Sequence, residues 1–318
     1  MAGPNHRIVE TNGIRMHLAE QGTGPLVLLC HGFPELWYSW RHQLSALAAA
    51  GYRAVAPDMR GYGQTDRPAD IEHYTILHLV GDMLGVMDAL GEAEAVIIGH
   101  DWGAVVAWRC ALLRPDRFRA VVGVSVPYAG RGPVRSTEAL RRAAGENFNY
   151  MLYFQKPGVA EAELNKDPRS ALLRMLYGIS GESPGLISRP KDSTFLQGFP
   201  EVPHLPGWLT EADLDTYATE FRRTGFSGGL NWYRNLDRNW ELMAPFEGLK
   251  IHQPSLFLGG EKDSVIRTRP EQMQRMTKLL PDLRKTVILP GCGHWTQQER
   301  PEEVTVELVA FLQELGGR

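Results

Sequence analysis

Three things are scarce or missing in this 318-residue chain, and each narrows what it does. Cysteine occurs three times, at Cys30, Cys110 and Cys292. A small, odd number set in or beside apolar runs argues against a disulfide framework and for buried free thiols in a reducing compartment. There is no run of about eighteen apolar residues, so no segment reads as a membrane-spanning helix. The first residues, Met1-Ala2-Gly3-Pro4-Asn5-His6-Arg7, lack the apolar stretch of a secretory signal, and a cytoplasmic protein is expected. Basic excess is missing as well. A formal net charge of −3, with no basic run, leaves no electrostatic footprint for nucleic acid.

What remains is an ordinary globular composition with a strong internal rhythm. Two alternating segments, residues 6–11 and 14–20, flank Asn12-Gly13, a hairpin-turn signal. Short apolar strands are expected at residues 26–30, 53–57, 95–98 and 120–126, separated by helical stretches. In one of these, Ile76, Val80, Met83, Met87 and Leu90 recur at helical spacing. The C-terminal part repeats the scheme, with strands at 255–259 and 285–289 and helices at 271–280 and 301–315. Strands alternating with helices imply an α/β fold: a mainly parallel sheet with helices on both faces. Residues 131–245 break the rhythm with helical patterns, Gly and Pro breaks and five tyrosines: Tyr150, Tyr153, Tyr177, Tyr217 and Tyr233. This stretch reads as a helical cap inserted into a core made of residues 1–130 and 246–318.

The chemistry begins where the strand Val96-Ile97-Ile98 runs into Gly99-His100-Asp101-Trp102-Gly103 and then a helix. A strand, a sharp turn between small residues and a helix would present the central side chain at the top of the sheet, where a nucleophile is often serine. Here it is Asp101. A serine attacking saturated carbon would leave an ether, whereas a carboxylate leaves an ester that water can remove. A carboxylate with a free pKa near 3.9 is already ionised at neutral pH and needs no base to activate it. The competing reading is a plain helix N-cap, a role that suits aspartate.

In such sheets functional groups gather at the carboxyl ends of strands. One end carries His31-Gly32-Phe33-Pro34-Glu35, a tight turn whose backbone N–H groups could stabilise an oxyanion. Phe33-Pro34 is a candidate cis peptide, and His31 reads as a buried turn histidine. A second end carries Glu261 and Asp263, of which Asp263 is preferred as the acid. A third carries His294, flanked by Gly293 and Trp295. The order nucleophile, acid, histidine is that of the α/β-hydrolases, with Asp263 orienting His294 as general base. If a carbon–oxygen bond is cleaved, the leaving alkoxide needs a proton, and a tyrosine with a pKa near 10 can donate one.

Taken together, these residues resemble the soluble epoxide hydrolases of the α/β-hydrolase fold. The likeness runs from about His6 to the end. It is strongest at His31-Gly32-Phe33-Pro34-Glu35-Leu36-Trp37, Gly99-His100-Asp101-Trp102-Gly103, Gly293-His294-Trp295-Thr296-Gln297, Tyr150-Met151-Leu152-Tyr153-Phe154 and Leu230-Asn231-Trp232-Tyr233. The resemblance implies that Tyr150 and Tyr233 hold the epoxide oxygen, that the amides of Phe33 and Trp102 form the oxyanion hole, and that Asp263 is the charge-relay acid. It implies a two-step hydrolysis of an epoxide to a 1,2-diol with no metal or organic cofactor. The partners would then be an epoxide and water, for a monomer or homodimer. The apolar rings of Phe33, Trp102 and Trp295 suggest a lipophilic or aromatic substrate. The alternative is a haloalkane or haloacid dehalogenase built on the same aspartate. Phe33 weighs against it, because its side chain has no N–H to stabilise a departing halide.

Overall fold

Asn12 and Gly13 turn the first hairpin, both at positive φ (45° and 77°). Asn and Gly accept this conformation more readily than other residues. The turn joins β1 (Asn5–Thr11) to antiparallel β2 (Ile14–Gln21). Short apolar runs then form β3 (Leu26–Cys30), β4 (Arg53–Pro57), β5 (Ala95–His100), β6 (Phe118–Val124), β7 (Ser255–Gly260) and β8 (Leu283–Leu289). In this computed structural model, which describes residues 3–316 other than Arg269, the strands form one sheet ordered β1-β2-β4-β3-β5-β6-β7-β8. From β3 to β8 the strands pair in parallel, while β2 joins β4 antiparallel. β4 lies on one side of β3 and β5 on the other. The winding therefore reverses beside β3, and a crevice opens at the carboxyl ends of β3 and β5.

Helices α1 (Arg41–Ala49), α2 (Ile76–Leu90) and α3 (Trp102–Leu113) fill the connections between strands. Between β6 and β7 come α4 (Ser136–Ala144), α5 (Tyr150–Tyr153), α6 (Val159–Leu164), α7 (Pro168–Gly178), α8 (Glu211–Thr224), α9 (Ser227–Arg234) and α10 (Leu236–Leu242). This insertion adds no strand to the sheet among the described residues. The C-terminal part adds α11 (Ser264–Arg267), α12 (Pro270–Leu279), α13 (Thr296–Glu299) and α14 (Pro301–Gly316). Among the described residues no helix is long and apolar enough to cross a membrane.

Strand side chains alternate between faces, and this splits the core into two layers. Val27, Leu29, Val96, Ile98, Val122 and Val124 pack with Leu44 and Leu47 of α1 and Leu308 and Leu312 of α14. Leu28, Cys30, Ile97 and Val121 pack with Val80, Met83 and Met87 of α2 and Ala107, Trp108 and Ala111 of α3. The three cysteines are free and buried. Several strands run one or two residues beyond the sequence expectation, and two strand ends beside the site differ from it. β5 runs on to His100, paired with Val124. β6 stops at Val124 because Ser125 turns to a φ of 68°, which aims its hydroxyl at the backbone carbonyl of His294 (2.7 Å).

Candidate active site

β5 passes into α3 through one residue, and the backbone there is strained. Asp101 sits at φ 53° and ψ −119°, a region that residues with a Cβ rarely occupy. Small neighbours make the turn possible. A Cβ on Gly99 would stand 2.0 Å from the Gly103 carbonyl oxygen, and one on Gly103 would stand 2.0 Å from that of Cys30. The Asp101 side chain makes no capping hydrogen bond to α3, so the N-cap reading does not describe it. Its Oδ1 instead accepts the Phe33 amide at 2.9 Å, and its Oδ2 lies 3.6 Å from His294 Nε2.

Phe33 lies in the turn after β3, where the Phe33–Pro34 bond is cis and the Glu35 amide donates to the Gly32 carbonyl (3.0 Å). His31 is a buried turn residue. Its Nδ1 lies 2.9 Å from the Gly32 carbonyl oxygen, and its Nε2 accepts the Met59 amide. Trp102 is the first residue of α3, so its amide has no carbonyl one turn back to bond.

His294 follows β8 and is almost fully buried. Its Nδ1 meets Asp263 Oδ2 at 3.0 Å, which leaves Nε2 facing Asp101. Asp263 follows β7 as the N-cap of α11 and is fully buried, with its other oxygen accepting the Val265 amide (2.8 Å). Glu261, the other acid at this strand end, is exposed and accepts the Gly291 amide. Burial alone would push the His294 pKa down. The charges and hydrogen bonds of Asp263 and Asp101 overcome it and hold the imidazole well above its usual value. Burial likewise opposes ionisation of Asp101. It is outweighed by the hydrogen bond and charge of His294, the charge of His100 and the Phe33 amide, so the carboxyl titrates below the ordinary aspartate value.

Two phenols share the cavity with the carboxylate. Asn149 caps α5 through the amides of Met151 and Leu152 and so sets Tyr150 at its first position. Tyr233 is carried by α9. The backbone of Gly228 comes so close to that of Gly61 that a Cβ would stand 2.2 Å from its carbonyl oxygen. Trp232 Nε1 donates to the Arg60 carbonyl (3.0 Å), which ties α9 to the core. The Tyr150 and Tyr233 rings lie 5.9 Å apart, and the Trp102 ring packs edge-on to Tyr233 at 5.2 Å. Asp101, Trp102, Tyr150 and Tyr233 line one cavity of about 470 Å³, otherwise walled largely by apolar groups such as Val105, Trp108, Leu140 and Leu236. Burial, reinforced by the charge of Asp101, pushes the Tyr233 pKa well above the usual tyrosine value, so it stays a proton donor.

Comparison with known proteins bears directly on this arrangement. A profile of the alpha/beta hydrolase fold family matches residues 25–301. The chain is 48% identical to epoxide hydrolase A of Mycobacterium tuberculosis, over 98% of each chain. The chain belongs to the epoxide hydrolases of the α/β-hydrolase fold. Among solved structures it is similar to an epoxide hydrolase from an endophytic Streptomyces, with a TM-score of 0.96 and 50% identity, covering 100% of this chain and 97% of that one. It is also similar to epoxide hydrolase VrEH1 from Vigna radiata, with a TM-score of 0.90 and 42% identity over 99% of each chain.

In this member of the epoxide hydrolases two expected substrate contacts, Phe33 and Trp295, are not among the residues lining the cavity, and the Phe33 ring instead packs against those of Phe154, Phe226 and Tyr233. Trp295 is fully buried, and its indole N–H donates to the Leu176 carbonyl (2.8 Å). Its ring packs edge-on against His294 at 4.9 Å and is not part of the cavity wall. With its polar atom used and both neighbours packed, the indole braces the histidine and does not face a substrate. The site also contains a buried network that sequence reasoning passed over. Glu35 accepts the Gly32 amide (3.0 Å) and the side-chain amides of Gln297 (3.0 Å) and Gln298 (3.1 Å), and meets His100 Nδ1 at 2.7 Å. His100 Nε2 donates to the His294 carbonyl (2.8 Å). One carboxylate thus ties the Phe33 turn, the residue before the nucleophile and the histidine loop together. Burial opposes its charge, but His100 and the Gly32 amide keep the Glu35 pKa below its usual value. Glu299 does similar work nearby by accepting the amides of Gly181, Gly293 and Trp295.

Proposed function

We propose that the protein hydrolyses epoxides to vicinal diols through a covalent hydroxyalkyl ester on Asp101. The observation that carries this reading is the ionised Asp101 carboxylate and two cap phenols lining the same largely apolar cavity, with His294 behind the carboxylate. Residues 131–245 act as the cap domain that supplies those phenols. Residues 1–130 and 246–318 form the core that supplies the rest.

Tyr150 and Tyr233 hold the epoxide oxygen. Asp101 Oδ2 attacks a ring carbon, the carbon–oxygen bond of the ring breaks, and the departing oxygen takes a proton from a phenol. Oδ1, already hydrogen-bonded to the Phe33 amide, becomes the ester carbonyl oxygen. Forming the ester removes the Asp101 charge that helps to keep His294 protonated, so His294 passes its proton through solvent to the phenolate left by the first step and becomes a base. It then deprotonates a water, which attacks the ester carbonyl carbon. The oxyanion on Oδ1 is stabilised by the amides of Phe33 and Trp102. Collapse breaks the acyl carbon–Oδ2 bond, the departing oxygen takes the proton of the hydroxyl just added to the acyl carbon, and the diol leaves with Asp101 again a carboxylate and His294 protonated. The apolar cavity wall favours a lipophilic or aromatic substrate.

The test is a single turnover in ¹⁸O-water with enzyme in excess over styrene oxide. Label should enter the Asp101 carboxylate, and the diol should carry an unlabelled oxygen taken from the enzyme. Label delivered directly to the diol would refute the ester intermediate.

A further inference from the structure

The cavity also holds a charge for which the two-step hydrolysis has no use. Asp101, Val105 and Arg109 follow one another at i, i+4 and i+8 along α3, and all three line the cavity. Eight residues at a helical rise of about 1.5 Å set the Arg109 Cα about 12 Å beyond the nucleophile. The guanidinium lies against Tyr128, which lines the same cavity.

Arg109 is partly buried, and its contacts are to one neutral group. Nη1 donates to the Tyr128 hydroxyl at 3.2 Å, and the guanidinium carbon lies 5.2 Å from the centre of the Tyr128 ring. Among the described residues no carboxylate forms an ion pair with Arg109. Other buried arginines in the chain do have one: Arg60 binds Asp82 and Arg234 binds Glu161. Arg131, on the same cavity wall, holds Glu247 at 2.6 Å. A guanidinium offers five N–H donors in a fork that fits a carboxylate, and a buried charge without a counter-charge is unfavourable. Burial in fact pulls the Arg109 pKa down, opposed only by its contacts with Tyr128.

We propose that Arg109 anchors an acidic group of the substrate, so that the preferred epoxides carry a carboxylate at the end remote from the ring. This rests on the epoxide-opening reading above and adds a specificity determinant to it. The apolar wall between Asp101 and Arg109, formed by Val105 and Trp108, suits the hydrocarbon spacer joining the two groups. Glu271 lines the cavity too and is exposed to solvent, where its carboxylate would weakly oppose such a ligand.

The experiment compares ω-epoxyalkanoic acids of increasing chain length with their methyl esters, using wild type, Arg109→Gln and Arg109→Lys, with styrene oxide as a substrate lacking any acid. Wild type should prefer the acid over its ester by roughly tenfold to a hundredfold in kcat/KM at the best-fitting length. Arg109→Gln should bring that ratio close to one, and Arg109→Lys should keep part of it. Glu271→Gln should raise it. Retained turnover of styrene oxide shows that each variant is folded with a working nucleophile. Equal use of acid and ester by wild type, or a preference that survives in Arg109→Gln, overturns the anchor while leaving the epoxide reading intact. A wild type inert toward styrene oxide and every epoxy acid overturns both.

Discussion

Replacing Asp263 with asparagine should separate the two half-reactions. The exchange keeps the shape of the side chain and its ability to cap α11 through the Val265 amide, since asparagine caps as well as aspartate. It removes the negative charge 3.0 Å from His294 Nδ1. At that distance, and with an effective dielectric of about 20, the lost attraction to an imidazolium is about 5 kcal/mol. This corresponds to about four orders of magnitude in a step whose transition state places a proton on His294. The asparagine N–H would also face Nδ1 and drive the ring toward the tautomer that cannot accept a proton at Nε2. Ester formation depends on Asp101 and the phenols and should change by no more than about tenfold. Ester hydrolysis should slow by about a thousandfold to ten-thousandfold. Stopped-flow tryptophan fluorescence would follow the two phases, and intact-protein mass spectrometry would show an adduct equal in mass to the epoxide. A variant that turns over within tenfold of wild type without accumulating adduct would refute the assignment of Asp263 and His294. So would the same defect in Glu261→Gln, because Glu261 lies on the surface and away from the histidine.

Tyr150→Phe and Tyr233→Phe should each slow ester formation by about a hundredfold, and the double variant should form almost no adduct while melting as wild type does. Equal single-turnover rates in the double variant and wild type would exclude the phenols as proton donors. A pH-dependence of stability follows from His294, whose folded pKa is raised above its unfolded value of about 6.5. Its contribution is complete below that pH and is lost as pH rises through the folded value. The melting temperature of wild type minus that of His294→Gln should therefore shrink as pH rises above about 6.5, and a difference that grows with rising pH would contradict the sign.

The legible parts of this molecule are those in which local sequence carries its own physical signature. Asn12-Gly13 announces a hairpin, alternating apolar runs announce buried strands, and Gly99, Asp101 and Gly103 announce a turn that tolerates no extra atoms. Other features depend on partners far away in sequence. Glu35 reads as an ordinary loop carboxylate, yet it is fully buried because Gln297 and Gln298, more than 260 residues later, fold over it. Ser125 looks like the interior of a strand, but its hydroxyl is drawn to the His294 carbonyl and the strand ends one residue earlier. Trp295 misleads for the same reason. Adjacency to the catalytic histidine suggests a ligand contact, whereas the Leu176 carbonyl decides where its indole points. Arg109 could be placed on a helix face from sequence alone. That no carboxylate among the described residues comes to meet it is visible only once the chain is folded.

In the proposed mechanism one charge links the two chemical steps. While Asp101 is ionised, it helps to keep His294 protonated and adds to the burial that keeps Tyr233 protonated. The resting site therefore holds a ready nucleophile, a charged partner for it and a neutral proton donor. Alkylation consumes the Asp101 charge just as negative charge appears on the departing oxygen. Tyr233 then loses one of the influences that restrained its acidity, at the moment its proton is needed. His294 loses one of the two carboxylates that held its proton and becomes the base that hydrolysis requires. Asp263 is not alkylated and keeps its contact with Nδ1, so it can still stabilise the imidazolium formed in the second step. Under this proposal the same aspartate attacks the ring and, by being esterified, changes the protonation preferences of its neighbours to suit its own release.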